Sequence, residues 1–270
     1  MRDNVISFIG AGNMASAMIN GLITKGYGPK NIIASRRCLD RLSQLQQQYH
    51  VEITTDNLIA ADGADIVVLA VKPQQLEDVC QQLKTIVQKQ QPLILSVVTG
   101  KNIATIEQYL GTRKLTIVRC VLNTPVQIGC GITAAFAKIP TSARQPFNEI
   151  LNTIGKTVWL EQEAALDTVT ALAGSGPAYY FYIIDAFINA AIKQGLNPNV
   201  AKILAEQTAL GAAKMVQATD NSLAMLQQKV TSPGGTTEQG IKVLKNHHVD
   251  KILAEVIAKA KQRATELAEI

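Results

Sequence analysis

Gly10, Ala11, Gly12, Asn13, Met14 and Ala15 follow an apolar run of strand length and open a helical pattern. The chemistry this arrangement suits is anion binding. The first glycine permits a tight turn. The second lets the backbone approach a pyrophosphate seated on the helix N-terminus, and the third position, here Ala15, packs helix against strand. Strand, glycine turn and helix stand in the order that a dinucleotide fingerprint requires. Gly10, Ala11, Gly12, Asn13 and Met14 are therefore cofactor-site candidates.

A second apolar run closes on Ala34, Ser35, Arg36 and Arg37. An acid here would mark the free ribose 2′-hydroxyl of NAD, and none occurs before Asp40. A hydroxyl and two guanidiniums suit a 2′-phosphate dianion, arginine through its planar fork. Ser35, Arg36 and Arg37 favour NADPH over NADH, with NADH still admitted. Ala70, Val71, Lys72 and Pro73 follow a third run, at the carboxyl end where open α/β sheets bind ligands. Pro73 ends strand pairing because it lacks an N–H. Asn123, after a later run, offers an amide to orient a nicotinamide or a substrate.

The stretch Ser232-Pro233-Gly234-Gly235-Thr236-Thr237 lies in a region that otherwise reads as helix. Successive glycine N–H groups form nests for anions. Gly234, Gly235 and Thr236 offer N–H donors to a small carboxylate, and Ser232 adds a hydroxyl. The structural reading is a tight turn with Ser232 or Thr236 capping the next helix, and the two readings coexist. Gly174-Ser175-Gly176-Pro177 reads as another helix start, where Ser175 either caps or approaches a ligand.

These residues need elements to position them. Apolar runs at 5–9, 31–34, 66–71, 93–98 and 115–121 alternate with helical patterns, including 14–25 and 40–49. The alternation predicts a doubly wound, mainly parallel sheet of the Rossmann type. Runs at 132–137 and 157–160 extend its edge. Beyond residue 161 the pattern is helical, with helices expected over 177–194, 198–218, 222–229, 237–246 and 250–269. Gly195, Asn197 and Pro198 supply one helix stop and the next start. The division expected is a cofactor domain over 1–161 and an all-α domain over 162–270.

Composition narrows the function classes. The 270 residues are 47% hydrophobic and 17% charged, with a net charge of +5. No run of five Lys or Arg exists and aromatics are only 4%, which argues against nucleic-acid binding. The apolar segment 177–192 is interrupted by Asp185 and Asn189 and falls short of the roughly 20 residues that span a bilayer. Too apolar around its circumference for a surface helix, it is expected in a subunit interface. The four cysteines form no CxxC pair and read as reduced, mostly buried thiols of a cytoplasmic protein. The N-terminus runs directly into a strand, so no signal peptide is expected. His50, His247 and His248 lie outside every motif, and no metal is expected. Neither an internal repeat nor a low-complexity segment stands out.

The motifs "GAGNMASAM", "AVKPQ", "NTP", "GSGPAY" and "VTSPGGTTEQG", in that order and spacing, closely resemble the pyrroline-5-carboxylate reductase family. The likeness covers nearly the whole chain, and the last two motifs separate it from general β-hydroxyacid dehydrogenases. It implies a Rossmann domain and a helical dimerisation domain whose helices interlace between subunits. Each active site then includes residues from the partner, and dimers can assemble into rings. The implied reaction moves a hydride from NAD(P)H to the C=N carbon of 1-pyrroline-5-carboxylate, giving L-proline. By match to the motif, Thr237 places its hydroxyl near the ring nitrogen as the catalytic candidate. Asp220 aligns with an acidic position that holds the nitrogen through water, and Asn57 joins the cofactor set. Two departures are Leu122, where the family has proline and which loosens the following loop, and Thr99, where it has alanine. The alternatives are a reductase of another cyclic imine or hydroxy acid, and a non-catalytic NADP-binding scaffold. Hydroxyacid chemistry usually needs a lysine on the helix after Pro177, which offers only Lys193 near its end.

Overall fold

The computed structural model describes residues 4–269, with side chains to Leu267. By its internal contacts the chain forms two compact units. One is Met1–Ser175 with Ala260–Ile270, the other Gly176–Lys259.

The first unit is built on eight strands: β1 (Ile6–Ile9), β2 (Ile32–Ser35), β3 (Glu52–Thr54), β4 (Ile66–Leu69), β5 (Leu93–Ser96), β6 (Ile117–Leu122), β7 (Gly131–Phe136) and β8 (Gly155–Trp159). Their order is β3-β2-β1-β4-β5-β6-β7-β8. The first six run parallel; β7 reverses against β6, and β8 runs parallel to β7. Every residue of β1, β4 and β6 is buried, as central strands covered on both faces require. Ile9 is level with Ser35 on one side and Leu69 on the other. The three turns that follow these strands therefore leave the sheet in one row.

Seven helices belong with the sheet: α1 (Asn13–Thr24), α2 (Leu39–Tyr49), α3 (Asn57–Ala61), α4 (Leu76–Gln90), α5 (Ile103–Leu110), α6 (Gln145–Leu151) and α7 (Ala165–Val169). Met18, Ile19 and Leu22 of α1, Leu42 of α2 and Phe147 of α6 share one core cluster. Val79 and Leu83 of α4 and Ile106 of α5 share another with Ala60 of α3. Asp56 and Asn102 cap α3 and α5 through their side-chain oxygens.

The second unit carries α8 (Gly176–Lys193), α9 (Pro198–Gln217), α10 (Leu223–Lys229), α11 (Thr236–Asn246) and the first half of α12 (Val249–Glu269). Gly195 takes φ +99, and Asn197 Oδ1 accepts the N–H of Asn199. Ser222 Oγ accepts the N–H of Met225 at the start of α10. On α8, Tyr180, Phe181, Tyr182 and Phe187 are 63–78% exposed within the single chain.

Two expectations change. α7 runs into a π turn at Thr170–Gly174, and a single bend at Ser175 separates this from α8. Ser175 has right-handed helical dihedrals, and its N–H reaches Thr170 O, so Ser175 does not cap a fresh helix. Leu122 itself is the last residue of β6, in register with Thr133. Two of the four thiols, Cys38 and Cys130, are exposed, so "mostly buried" holds only for Cys80 and Cys120.

Candidate functional site

The row of turns at the ends of β1, β2 and β4 borders a groove of about 360 Å3. Eight of the cofactor candidates line it: Gly10, Gly12, Arg36, Arg37, Asn57, Ala70, Val71 and Lys72. Gly10 has φ +91, and its N–H and that of Ala11 both donate to Ser35 O, which clasps the glycine turn to β2. An added Cβ on Gly10 would meet Val71 Cγ1 at 2.6 Å and Ala70 O at 2.9 Å. Above Gly12 the groove is open, with only Gly10 O in reach at 3.8 Å.

Arg36 Nη1 donates to Ala11 O at 3.2 Å, tying this guanidinium to the glycine turn. Ser35 is fully buried, and its hydroxyl donates to Asn57 Oδ1 at 2.7 Å. Asn57 Nδ2 in turn donates to Gln82 Oε1. Ser35 thus acts on the groove by fixing Asn57.

The remaining cofactor candidates lie off the lining. Ala11 is buried in the core, and Met14 packs against it. Asn13 Oδ1 accepts from Arg41 Nη1 at 2.9 Å. Pro73 borders a separate cavity. Asn123 Oδ1 accepts the N–H of Ile132, which anchors the start of β7 and leaves its amide nitrogen to donate.

Sequence reasoning missed Cys38, Gln75 and Val79 in the lining, and Arg41 behind it. Arg41 was findable: it lies four residues past Arg37, on the first turn of α2. Burial pushes the Cys80 thiol up to about 12 and raises that of Cys120 further. Neither is poised as a nucleophile. Among the described residues no group of three His, Cys, Asp or Glu is placed to hold a metal.

In the second unit, residues 232–235 form a turn closed by Gly235 N–H to Ser232 O at 3.0 Å. Pro233 stands at its second position and Gly234, with φ +73, at its third, which is type II chemistry. Gly234 N–H donates to Glu238 Oε2 at 2.8 Å, and Lys242 Nζ approaches the other oxygen of that carboxylate at 3.3 Å. Two of the three N–H groups expected to face an anion are thus engaged within the chain. Gly235 caps α11, and neither Ser232 nor Thr236 supplies a capping hydrogen bond. The open donors are those of the first turn of α11, at Thr236, Thr237 and Glu238, which have no intrahelical partner. Ser232, Thr236 and Thr237 are exposed, as is Asp220.

Residues 163–267 match the family model described as pyrroline-5-carboxylate reductase dimerisation. Residues 5–100 match one described as NADP oxidoreductase, coenzyme F420-dependent. The chain is 38% identical over 273 residues to a pyrroline-5-carboxylate reductase of Vibrio alginolyticus, covering 100% of both. It resembles the structure of a pyrroline-5-carboxylate reductase from Coxiella burnetii with TM-score 0.94 and 40% identity, over 99% of each chain. A Plasmodium falciparum pyrroline carboxylate reductase with NADP bound aligns at TM-score 0.87 and 25% identity, also over 99% of each. Identity at this level, running unbroken from the glycine turn to the last helix, settles kinship: this chain belongs to the pyrroline-5-carboxylate reductase family.

Proposed function

We propose that this protein reduces 1-pyrroline-5-carboxylate to L-proline with NADPH, and with NADH as the poorer donor. The observation that carries the reading is the full-length identity to pyrroline-5-carboxylate reductases, which spans both the glycine turn and the 232–237 turn. No helix among the described residues is long and apolar enough to cross a membrane.

The groove fits a dinucleotide. Its floor at Gly10 leaves no room for a side chain, while Gly12 opens toward the space above. When bound, the cofactor supplies a hydride from C4 of its nicotinamide. The turn 10–12 and the N-terminus of α1 hold the pyrophosphate, with Ala11, Asn13 and Met14 setting the turn's shape. Arg36 and Arg37 hold the 2′-phosphate, supported by Ser35 through Asn57. Lys72, between Ala70, Val71 and Pro73, adds a cation at the strand end. The free amide nitrogen of Asn123 orients the nicotinamide end.

In the helical half, the N–H groups of Thr236 and Thr237 and the Ser232 hydroxyl hold the substrate carboxylate. Gly234 and Gly235 give the turn its shape. The Thr237 hydroxyl meets the ring nitrogen, donating to an imine or accepting from an iminium. Asp220 holds that nitrogen through water, and Ser175 borders the ring. Hydride adds to the C=N carbon while nitrogen keeps or takes one proton, which arrives with the substrate or through water.

We divide the labour at 161/162, cofactor before and dimerisation with substrate binding after. The dimerisation match over 163–267 supports a homodimer, and a ring of dimers is the larger assembly we propose. We place the reaction in the cytoplasm, where four unpaired thiols stay reduced.

The test is NADPH oxidation driven by 1-pyrroline-5-carboxylate, set against oxidation of a 3-hydroxy acid and against cofactor binding without turnover. Thr237→Ala is expected to lower kcat/KM by about 1–3 kcal/mol in barrier terms. An unchanged value removes Thr237 from the mechanism.

A further inference from the structure

A cavity of about 210 Å3 opens in the first unit, bordered by the start of α4, the loop after β5, α5 and Leu267 near the end of α12. Lys101 lines it and is 8% exposed. The only other buried cation among the described residues, Arg119, pairs with Glu163 at 3.2 Å. Among the described residues Lys101 has no ion pair and no hydrogen bond. Lysines are almost never this buried unless paired. The backbone adds to the imbalance. Asn102 caps α5, so the positive end of that helix lies one residue from Lys101.

Glu77, on the first turn of α4, lines the same cavity without pairing to Lys101. Opposite charges are thus held apart across one small space. Thr99, Tyr109 and Gln74, each with a polar side chain, belong to the same lining. At roughly 30 Å3 per water, the cavity holds about seven waters, which is room enough for a small amino acid. We propose that it binds a small zwitterionic amino carboxylate, the carboxylate on Lys101 and the ammonium on Glu77. This does not rest on the reductase reading, because occupancy is measured without turnover.

Isothermal titration of the full-length protein with glycine, acetate and inorganic phosphate tests it. Glycine is expected to bind at least severalfold more tightly than acetate or phosphate. Lys101→Met should weaken glycine at least tenfold. Lys101→Arg should keep affinity within a few-fold, which separates loss of charge from loss of fold. Methionine matches the lysine stem, and replacing a buried charge by an apolar side chain of similar shape is usually tolerated. Glu77→Gln should weaken glycine and leave acetate unchanged. Equal affinity for glycine and acetate, glycine binding that survives Lys101→Met, or no glycine binding at all would overturn the proposal.

Discussion

Glu238 Oε2 accepts the N–H of Gly234 at 2.8 Å, so the first turn of α11 reaches back and closes the 232–235 turn that precedes it. A carboxylate of the chain itself already sits on one of the three N–H groups expected to face a ligand. This leaves the neighbouring donors, at Thr236 and Thr237, for the substrate. Reach-back contacts of this kind are worth about 1 kcal/mol. Glu238→Ala should therefore raise KM for 1-pyrroline-5-carboxylate about fivefold at nearly constant kcat. Glu238→Gln keeps an acceptor oxygen and should restore most of the loss. Steady-state kinetics of the two variants decide the matter; equal KM in both would show that the contact is idle.

Arg36 joins the glycine turn to the groove through Ala11 O. A charge-assisted contact to a 2′-phosphate is worth about 1.5–3 kcal/mol, so Arg36→Ala should cost NADPH about ten- to a hundredfold in kcat/KM. NADH has no such phosphate and should fall only through the loosened turn. Arg36→Lys should not rescue NADPH, since a point charge lacks the fork. The ratio of the two cofactors' kcat/KM is the readout, and an unchanged ratio refutes the assignment.

Gly10 and Gly12 should fail in different ways. Alanine at Gly10 meets Val71 and Ala70 with φ fixed at +91, so it strains the fold itself. The expected cost is about 1–3 kcal/mol, seen as a lower Tm without any ligand. Alanine at Gly12 meets only Gly10 O at 3.8 Å and should leave the apo Tm unchanged while abolishing the upward shift that NADPH produces. Thermal melts with and without NADPH separate them.

Thiol labelling reports the groove. Cys38 lines it and is exposed, whereas burial pushes Cys80 up to about 12 and leaves almost no thiolate at neutral pH. A disulfide reagent at pH 8 should modify Cys38 quickly, and Cys80 and Cys120 only after denaturation. Saturating NADPH should slow Cys38. Peptide mapping by mass spectrometry assigns the sites, and labelling of Cys38 that is indifferent to NADPH would detach it from the cofactor's place.

Much of this was readable from residue type. The end of α8 and the start of α9 follow from Gly195, Asn197 and Pro198, whose conformational demands are local. The central strands follow from uninterrupted apolar runs. The reversal of β7 does not, because side chains alternate identically in either direction. β3, at three residues, is too short for any period to show. Gly176 and Pro177 announce the start of α8, whereas the π turn that leads up to Ser175 has no local signal in the sequence. At the site, Gly10, Gly12, Arg36, Arg37 and Lys72 announced themselves by charge or glycine, and Cys38, Gln75 and Val79 did not. The partners that orient them, Ser35 to Asn57 and Asn123 to Ile132, depend on tertiary proximity that no local spacing encodes.

Within Gly176–Lys259 only Gly176 and Ala201 are buried, while Tyr180, Phe181, Tyr182 and Phe187 face outward. A segment with so little interior of its own cannot draw its stability from the single chain. By mass action, that stability rises with the concentration of the protein. Dilution should thus act on the helical half as a denaturant does, while the sheet, with its own core, stays folded.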